Sequence, residues 1–172
     1  MTLSTAYAAT IAEASFPEFD VLFGPAYKGI PFAAVTVLQL QLQHQISVGL
    51  AYDRKEIKDH GEGGKVVGVS LQGKKVVILD DVMTSGKAVR GSIETVRSQG
   101  GEVVGVVQCL DREEVGQDGI SSTVKEIEAL VGQGSVKSII KMRDLISWLE
   151  EAEMNSDLEV MRQYSAQYGI KE

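Results

Sequence analysis

Short aliphatic runs that alternate with helix-like segments predict an α/β domain, with a largely parallel central sheet flanked by helices. Three observations carry that expectation. Val76, Val77, Ile78 and Leu79 form an aliphatic run too short for a helix, bounded by Gly73 on one side and by Asp80 and Asp81 on the other. Residues 103–110 are nearly all aliphatic, the pattern of a strand covered on both faces. Met142, Leu145, Ile146 and Leu149 recur at helical spacing with Trp148 beside them, and this stripe reads as core packing.

The elements follow in order. An alanine-rich stretch before Pro17 predicts a helix over 3–14. Residues 20–23 read as a short strand ended by Gly24 and Pro25. A second helix is expected over 31–43, with Pro31 acceptable in its first turn, and 46–52 as another strand. Residues 53–65 hold one aliphatic residue, three glycines and nearly alternating charge, so they are expected to form an exposed, mobile loop. Residues 66–68 suit a short strand and 88–99 a helix stopped by Gly100 and Gly101. A charged loop over 111–119, a Ser-capped helix over 121–131, a strand over 136–140 and a last helix over 157–168 complete the chain.

At 172 residues this is one domain, 1–172, able to bury a core without disulfides. A net charge of −7 argues against general nucleic-acid or anionic-membrane binding. No apolar run reaches the ~18 residues of a membrane span, and the start lacks a signal-peptide pattern. The lone Cys109 cannot form an internal disulfide and lies in an aliphatic run, so it is read as a strand residue in a reducing compartment. A cytoplasmic location is the resulting expectation.

The chemistry concentrates where the 76–79 strand ends. Asp80 and Asp81 suit the hydroxyls of a sugar, directly or through metal-bound water. Val82 and Met83 lead into Thr84, Ser85, Gly86, Lys87 and Ala88, where hydroxyls and free N–H groups at a helix start suit a phosphate. A P-loop and a dinucleotide fingerprint are both excluded by their glycine spacing. Strand-end loops of such sheets face one crevice, which gathers 24–29, 53–65, 80–88 and 111–116.

This pattern resembles the type I phosphoribosyltransferases. Gly24-Pro25-Ala26-Tyr27-Lys28-Gly29-Ile30-Pro31, Arg54-Lys55-Glu56-Ile57-Lys58-Asp59-His60-Gly61-Glu62-Gly63 and Leu110-Asp111-Arg112-Glu113-Glu114 further resemble motifs of the orotate phosphoribosyltransferase family, in the family's order. The resemblance implies the type I phosphoribosyltransferase fold and magnesium-dependent transfer of a phosphoribosyl group to orotate in pyrimidine synthesis. By position, it implies that Asp80 and Asp81 hold the ribose hydroxyls of 5-phosphoribosyl diphosphate and that residues 82–88 wrap its 5-phosphate. Tyr27, Lys28, Arg54, Lys55, Lys58 and His60 fall to the diphosphate, and Thr84 and Arg112 to orotate. Lys58, His60, Asp80 and Asp81 are the implied catalytic set, and Mg2+ the implied cofactor, held mainly by the substrate's diphosphate. A homodimer follows, with loop 53–65 reaching the neighbouring site.

Physical reasoning supports such a loop. Cations that arrive on closure stabilise a departing diphosphate more than the bound substrate, and closure keeps water from the ribosyl centre. His60, with an ordinary pKa of about 6.5, can donate a proton there. Two departures temper the match. Lys87 stands where the family often has a small or hydroxyl residue. The family's region ahead of the first helix, with a lysine near the diphosphate and a Phe-Phe pair beside orotate, has no counterpart, which implies an incomplete N-terminal hood. The alternatives are therefore a catalytically impaired short form or a regulator that binds the diphosphate sugar, and a phosphoribosyltransferase for another base.

Overall fold

The computed structural model describes residues 2–58 and 64–170. Six strands form one sheet in the order β3-β2-β1-β4-β5-β6. These are β1 (Val21–Gly24), β2 (Gly49–Lys58), β3 (Gly64–Gly68), β4 (Lys75–Val82), β5 (Glu102–Asp111) and β6 (Val136–Lys141). β2 to β1, β1 to β4, β4 to β5 and β5 to β6 pair in parallel, whereas β2 and β3 pair antiparallel. The helices are α1 (Leu3–Glu13), α2 (Gly29–His44), α3 (Lys87–Ser98), α4 (Thr123–Val131), α5 (Met142–Glu151) and α6 (Asn155–Tyr168). The expected largely parallel α/β architecture is the observed one.

The β4 run shows why the sheet must be covered twice. Successive strand side chains point to opposite faces. Val76 and Ile78 accordingly join Phe23, Val89, Ile93 and Ile127 in one apolar cluster, with α3 and α4. Val77 and Leu79 join Tyr7, Ala8, Leu22 and Leu40 in the other, with α1 and α2. All four β4 residues are fully buried, so neither face tolerates a polar residue without a partner.

One expectation is corrected. Residues 53–58 and 64–65 belong to an antiparallel ribbon of β2 and β3 and are not an irregular loop. Low apolar content predicts an exposed loop here, yet a ribbon at a sheet edge is held by its backbone ladder and needs little core. Residues 59–63, between the strands, lie outside the described residues. Smaller shifts concern ends: β2 starts at Gly49, three residues later than expected, and α4 is capped by Ser122, whose hydroxyl accepts from the Lys125 N–H at 3.2 Å. Met142 and Leu149 are buried as the stripe predicts, with Trp148 turned outward. No described helix is long and apolar enough to cross a membrane.

Candidate active site

The carboxyl ends of β1 and β4, with the stretch of β2 just beyond its pairing to β1, open on a cleft of about 750 Å³. Its walls include Pro25, Ala26, Asp53, Arg54, Lys55, Lys65, Asp80 and the whole turn from Val82 to Ala88. Parallel strands deliver these residues together because their carboxyl ends all point one way. Of the residues expected from sequence, Arg54, Lys55, Asp80, Val82, Met83, Thr84, Ser85, Gly86, Lys87 and Ala88 therefore meet at one place.

Tyr27, Lys28 and Asp81 join through contacts. Lys28 Nζ donates to Asp81 Oδ2 at 2.9 Å, and Lys55 Nζ sits 4.7 Å from the centre of the Tyr27 ring, a cation–π contact. The turn after β1 is tied to β2 by the Ala26 N–H, which donates to Asp53 Oδ1 at 2.7 Å. That turn closes tightly enough that a Cβ on Gly24 would lie 2.4 Å from the Gly29 carbonyl oxygen. The peptide between Ala26 and Tyr27 is cis.

The two acids differ electrostatically. Burial pushes the Asp80 carboxyl up to about 6, with the neighbouring Asp81 charge adding to it. Asp81 also loses solvation, but hydrogen bonds from Lys28 and the Val82 N–H outweigh that loss and hold it below the usual carboxylate range. Lys28 is raised in return by its hydrogen bond to Asp81. The pair thus presents one carboxylate that ionises readily and one that gains from a cation or a donor beside it.

Beyond the acids the chain turns through Gly86, whose φ of +68° is costly for any residue with a side chain. α3 starts there with no capping side chain, and the first-turn N–H groups of a helix have no intrahelical acceptor. The arrangement favours an anion at that point. Lys87 is exposed on the cleft wall. Met83 reaches the cleft wall, but most of its side chain is buried in the core and its N–H donates to Gln108 Oε1 at 3.1 Å.

Arg112 is not on this cleft's wall. It lines a smaller cavity of about 390 Å³ with Glu114, Tyr164 and Tyr168. Its Nε lies 3.1 Å from Glu114 Oε1 and its Nη2 donates to Glu114 Oε2 at 3.2 Å, while Glu114 also accepts from the Tyr164 hydroxyl. Lys58 ends β2, and His60 lies outside the described residues.

Sequence reasoning missed the supports. Tyr7, fully buried on α1, donates its hydroxyl to the Asp80 carbonyl at 2.8 Å, and burial is the main reason its phenol stays protonated far above the ordinary range. Gln108, buried beside Asp80 in the sheet register, also donates to Ser138 Oγ at 3.1 Å. A glutamine inside the aliphatic run of β5 was the available signal, since a buried amide requires partners.

Comparison with known proteins agrees with this geometry. Residues 3–136 match the family model of the phosphoribosyl transferase domain. Orotate phosphoribosyltransferase from Aeromonas salmonicida is 46% identical over 169 residues, covering 95% of this chain and 76% of the relative. The Shewanella oneidensis enzyme of the same name is 45% identical over 166 residues, covering 96% and 75%. Among solved structures, orotate phosphoribosyltransferase from Francisella tularensis superposes with a TM-score of 0.82 at 32% identity, covering 97% of this chain and 78% of that one. With the acids, the turn and the cations on one cleft and this likeness along nearly its whole length, the chain belongs to the orotate phosphoribosyltransferase family.

Proposed function

We propose that this cleft transfers the phosphoribosyl group of 5-phosphoribosyl diphosphate to orotate, releasing diphosphate and forming orotidine 5-phosphate for pyrimidine synthesis. The observation that carries the reading is the convergence of Asp80, Asp81, an uncapped helix start and several cations on one cleft. A ligand with adjacent hydroxyls, a phosphate ester and a diphosphate satisfies all of them at once.

In this reading Asp80 and Asp81 accept hydrogen bonds from the ribose hydroxyls, and the N–H groups and hydroxyls of residues 84–88 take the 5-phosphate. Lys28, Arg54 and Lys55 face the diphosphate with Tyr27 beside them, joined by Lys58 and His60 from the 53–65 segment of the neighbouring subunit in a homodimer. As the bond from ribosyl C1 to the diphosphate oxygen breaks, a ring nitrogen of orotate forms the new bond to C1 and its proton passes to the departing diphosphate. Negative charge grows on the departing diphosphate, where cations held in place stabilise the transition state most. Thr84, on the cleft wall, reads the acceptor; Arg112 joins it by exchanging its Glu114 partner for the acceptor's carboxylate, which a guanidinium can contact with two prongs.

Among the described residues no group of three or more His, Cys, Asp or Glu side chains is set to cage a cation. The carboxylates of Asp80 and Asp81 would suit a Mg2+ ion that takes the rest of its shell from the diphosphate sugar and water. Bound there, magnesium would neutralise diphosphate charge. A cytoplasmic setting suits these substrates.

The test is to incubate the purified chain with magnesium, the diphosphate sugar and orotate, with uracil and adenine in parallel. Orotate loss matched by orotidine 5-phosphate is expected. Faster consumption of another base would refute the acceptor, and donor binding without turnover of any base would leave only a binding protein.

A further inference from the structure

We infer that Thr123, at the first position of α4, is a positioning residue that presents the 84–88 turn to the sugar's 5-phosphate, with Gln117 as its second tether. This rests on the proposed reading of that turn as the phosphate cup. Thr123 lies 39 residues beyond Thr84, and its hydroxyl donates to the Thr84 carbonyl at 2.6 Å. Gln117 Nε2 donates to the next carbonyl, that of Ser85, at 3.0 Å. Two successive carbonyls are thus drawn away from the cleft.

The other half of Thr123 works on the following residue. A Cβ placed on Gly86 would stand 3.1 Å from Thr123 Cγ2 and 3.3 Å from Ile127 Cδ1, so α4 forms a wall directly behind the glycine. Thr123 itself is buried. With the carbonyls of Thr84 and Ser85 engaged on the α4 side and Gly86 held in its left-handed conformation, the uncapped N–H groups at the start of α3 remain to receive an anion. Neither Thr123 nor Gln117 lines the cleft, so each acts through the turn.

Calorimetric titration of ribose 5-phosphate and, separately, of inorganic diphosphate into the wild type and into Thr123→Val, Thr123→Ser and Gln117→Ala tests this. Thr123→Val keeps the wall and removes the hydroxyl. It should weaken ribose 5-phosphate roughly three- to tenfold, the scale of one lost hydrogen bond, and leave diphosphate affinity within about twofold. Thr123→Ser should restore most of the affinity. Gln117 is exposed, so Gln117→Ala should fold normally and weaken ribose 5-phosphate in the same selective way. Equal losses for both ligands, or no loss in either valine or alanine variant, would overturn the positioning role. If the wild type binds diphosphate but not ribose 5-phosphate, the phosphate-cup reading itself fails and the inference falls with it.

Discussion

Lys28 and Asp81 are 53 residues apart in sequence, and the Nζ of one donates to Oδ2 of the other at 2.9 Å. The contact joins the turn after β1 to the end of β4, the two halves of the cleft that the proposed diphosphate sugar must bridge. Lys28 is the more exposed partner, at 79% against 30% for Asp81, so solvent screening leaves little stability in the pair. Lys28→Ala should therefore leave the melting temperature unchanged while weakening diphosphate roughly tenfold, as for loss of one charge-assisted hydrogen bond. Thermal melts and diphosphate titration of the same variant check both halves.

The buried acid makes the opposite trade. Asp80 moves from the ordinary 3.8 of an aspartate up to about 6 because burial disfavours its charge. A carboxyl raised in this way contributes stability below pH 3.8 that is lost as pH rises through about 6. Asp80→Asn avoids that loss and should be more stable than the wild type at pH 7.5, by up to about 3 kcal/mol, with the advantage vanishing toward pH 3.8. Denaturant unfolding at several pH values would show it. Donor binding should likewise release a proton near pH 6, visible as a buffer-dependent heat.

Tyr7 supports the Asp80 backbone from a helix 73 residues away. Tyr7→Phe removes only the hydroxyl and should cost about 1 kcal/mol, lowering the melting temperature by roughly 2–4 °C. An unchanged denaturant midpoint would show that the hydrogen bond contributes nothing net.

Gly86→Ala meets both a positive φ and the Thr123 methyl. A destabilisation of about 1–3 kcal/mol is expected from the strained backbone, together with weaker ribose 5-phosphate binding. Equilibrium unfolding and titration of the variant measure the two effects.

Much of this was legible in the sequence, for identifiable reasons. Val76 to Leu79 could only be a doubly covered strand, and the Asp80 to Ala88 residues that follow it carry their chemistry in their types and order. The extension of β2 and β3 beyond the expected 46–52 and 66–68 was not legible, because Asp53 pairs with Val66 and Lys58 with Gly64 through the backbone, which leaves no apolar signature. The supports were hidden for another reason. Tyr7, Gln108, Gln117 and Thr123 act across separations of 25 to 73 residues, and only the tertiary fold reveals which backbone group each one meets. Arg112 had the right residue type, but sequence gave no sign that Glu114 and Tyr164 would already engage it.

The central claim is that Asp80 and Asp81 hold the hydroxyls of a diphosphate sugar whose phosphates lie on the turn and the cations. Its most direct test is titration of 5-phosphoribosyl diphosphate, with magnesium at pH 7.5, into the wild type and the Asp80→Asn, Asp81→Asn double variant. Saturable one-site binding by the wild type is expected, with a loss of at least tenfold in the double variant and inorganic diphosphate affinity largely retained. Equal affinity of the two proteins for the diphosphate sugar would contradict it.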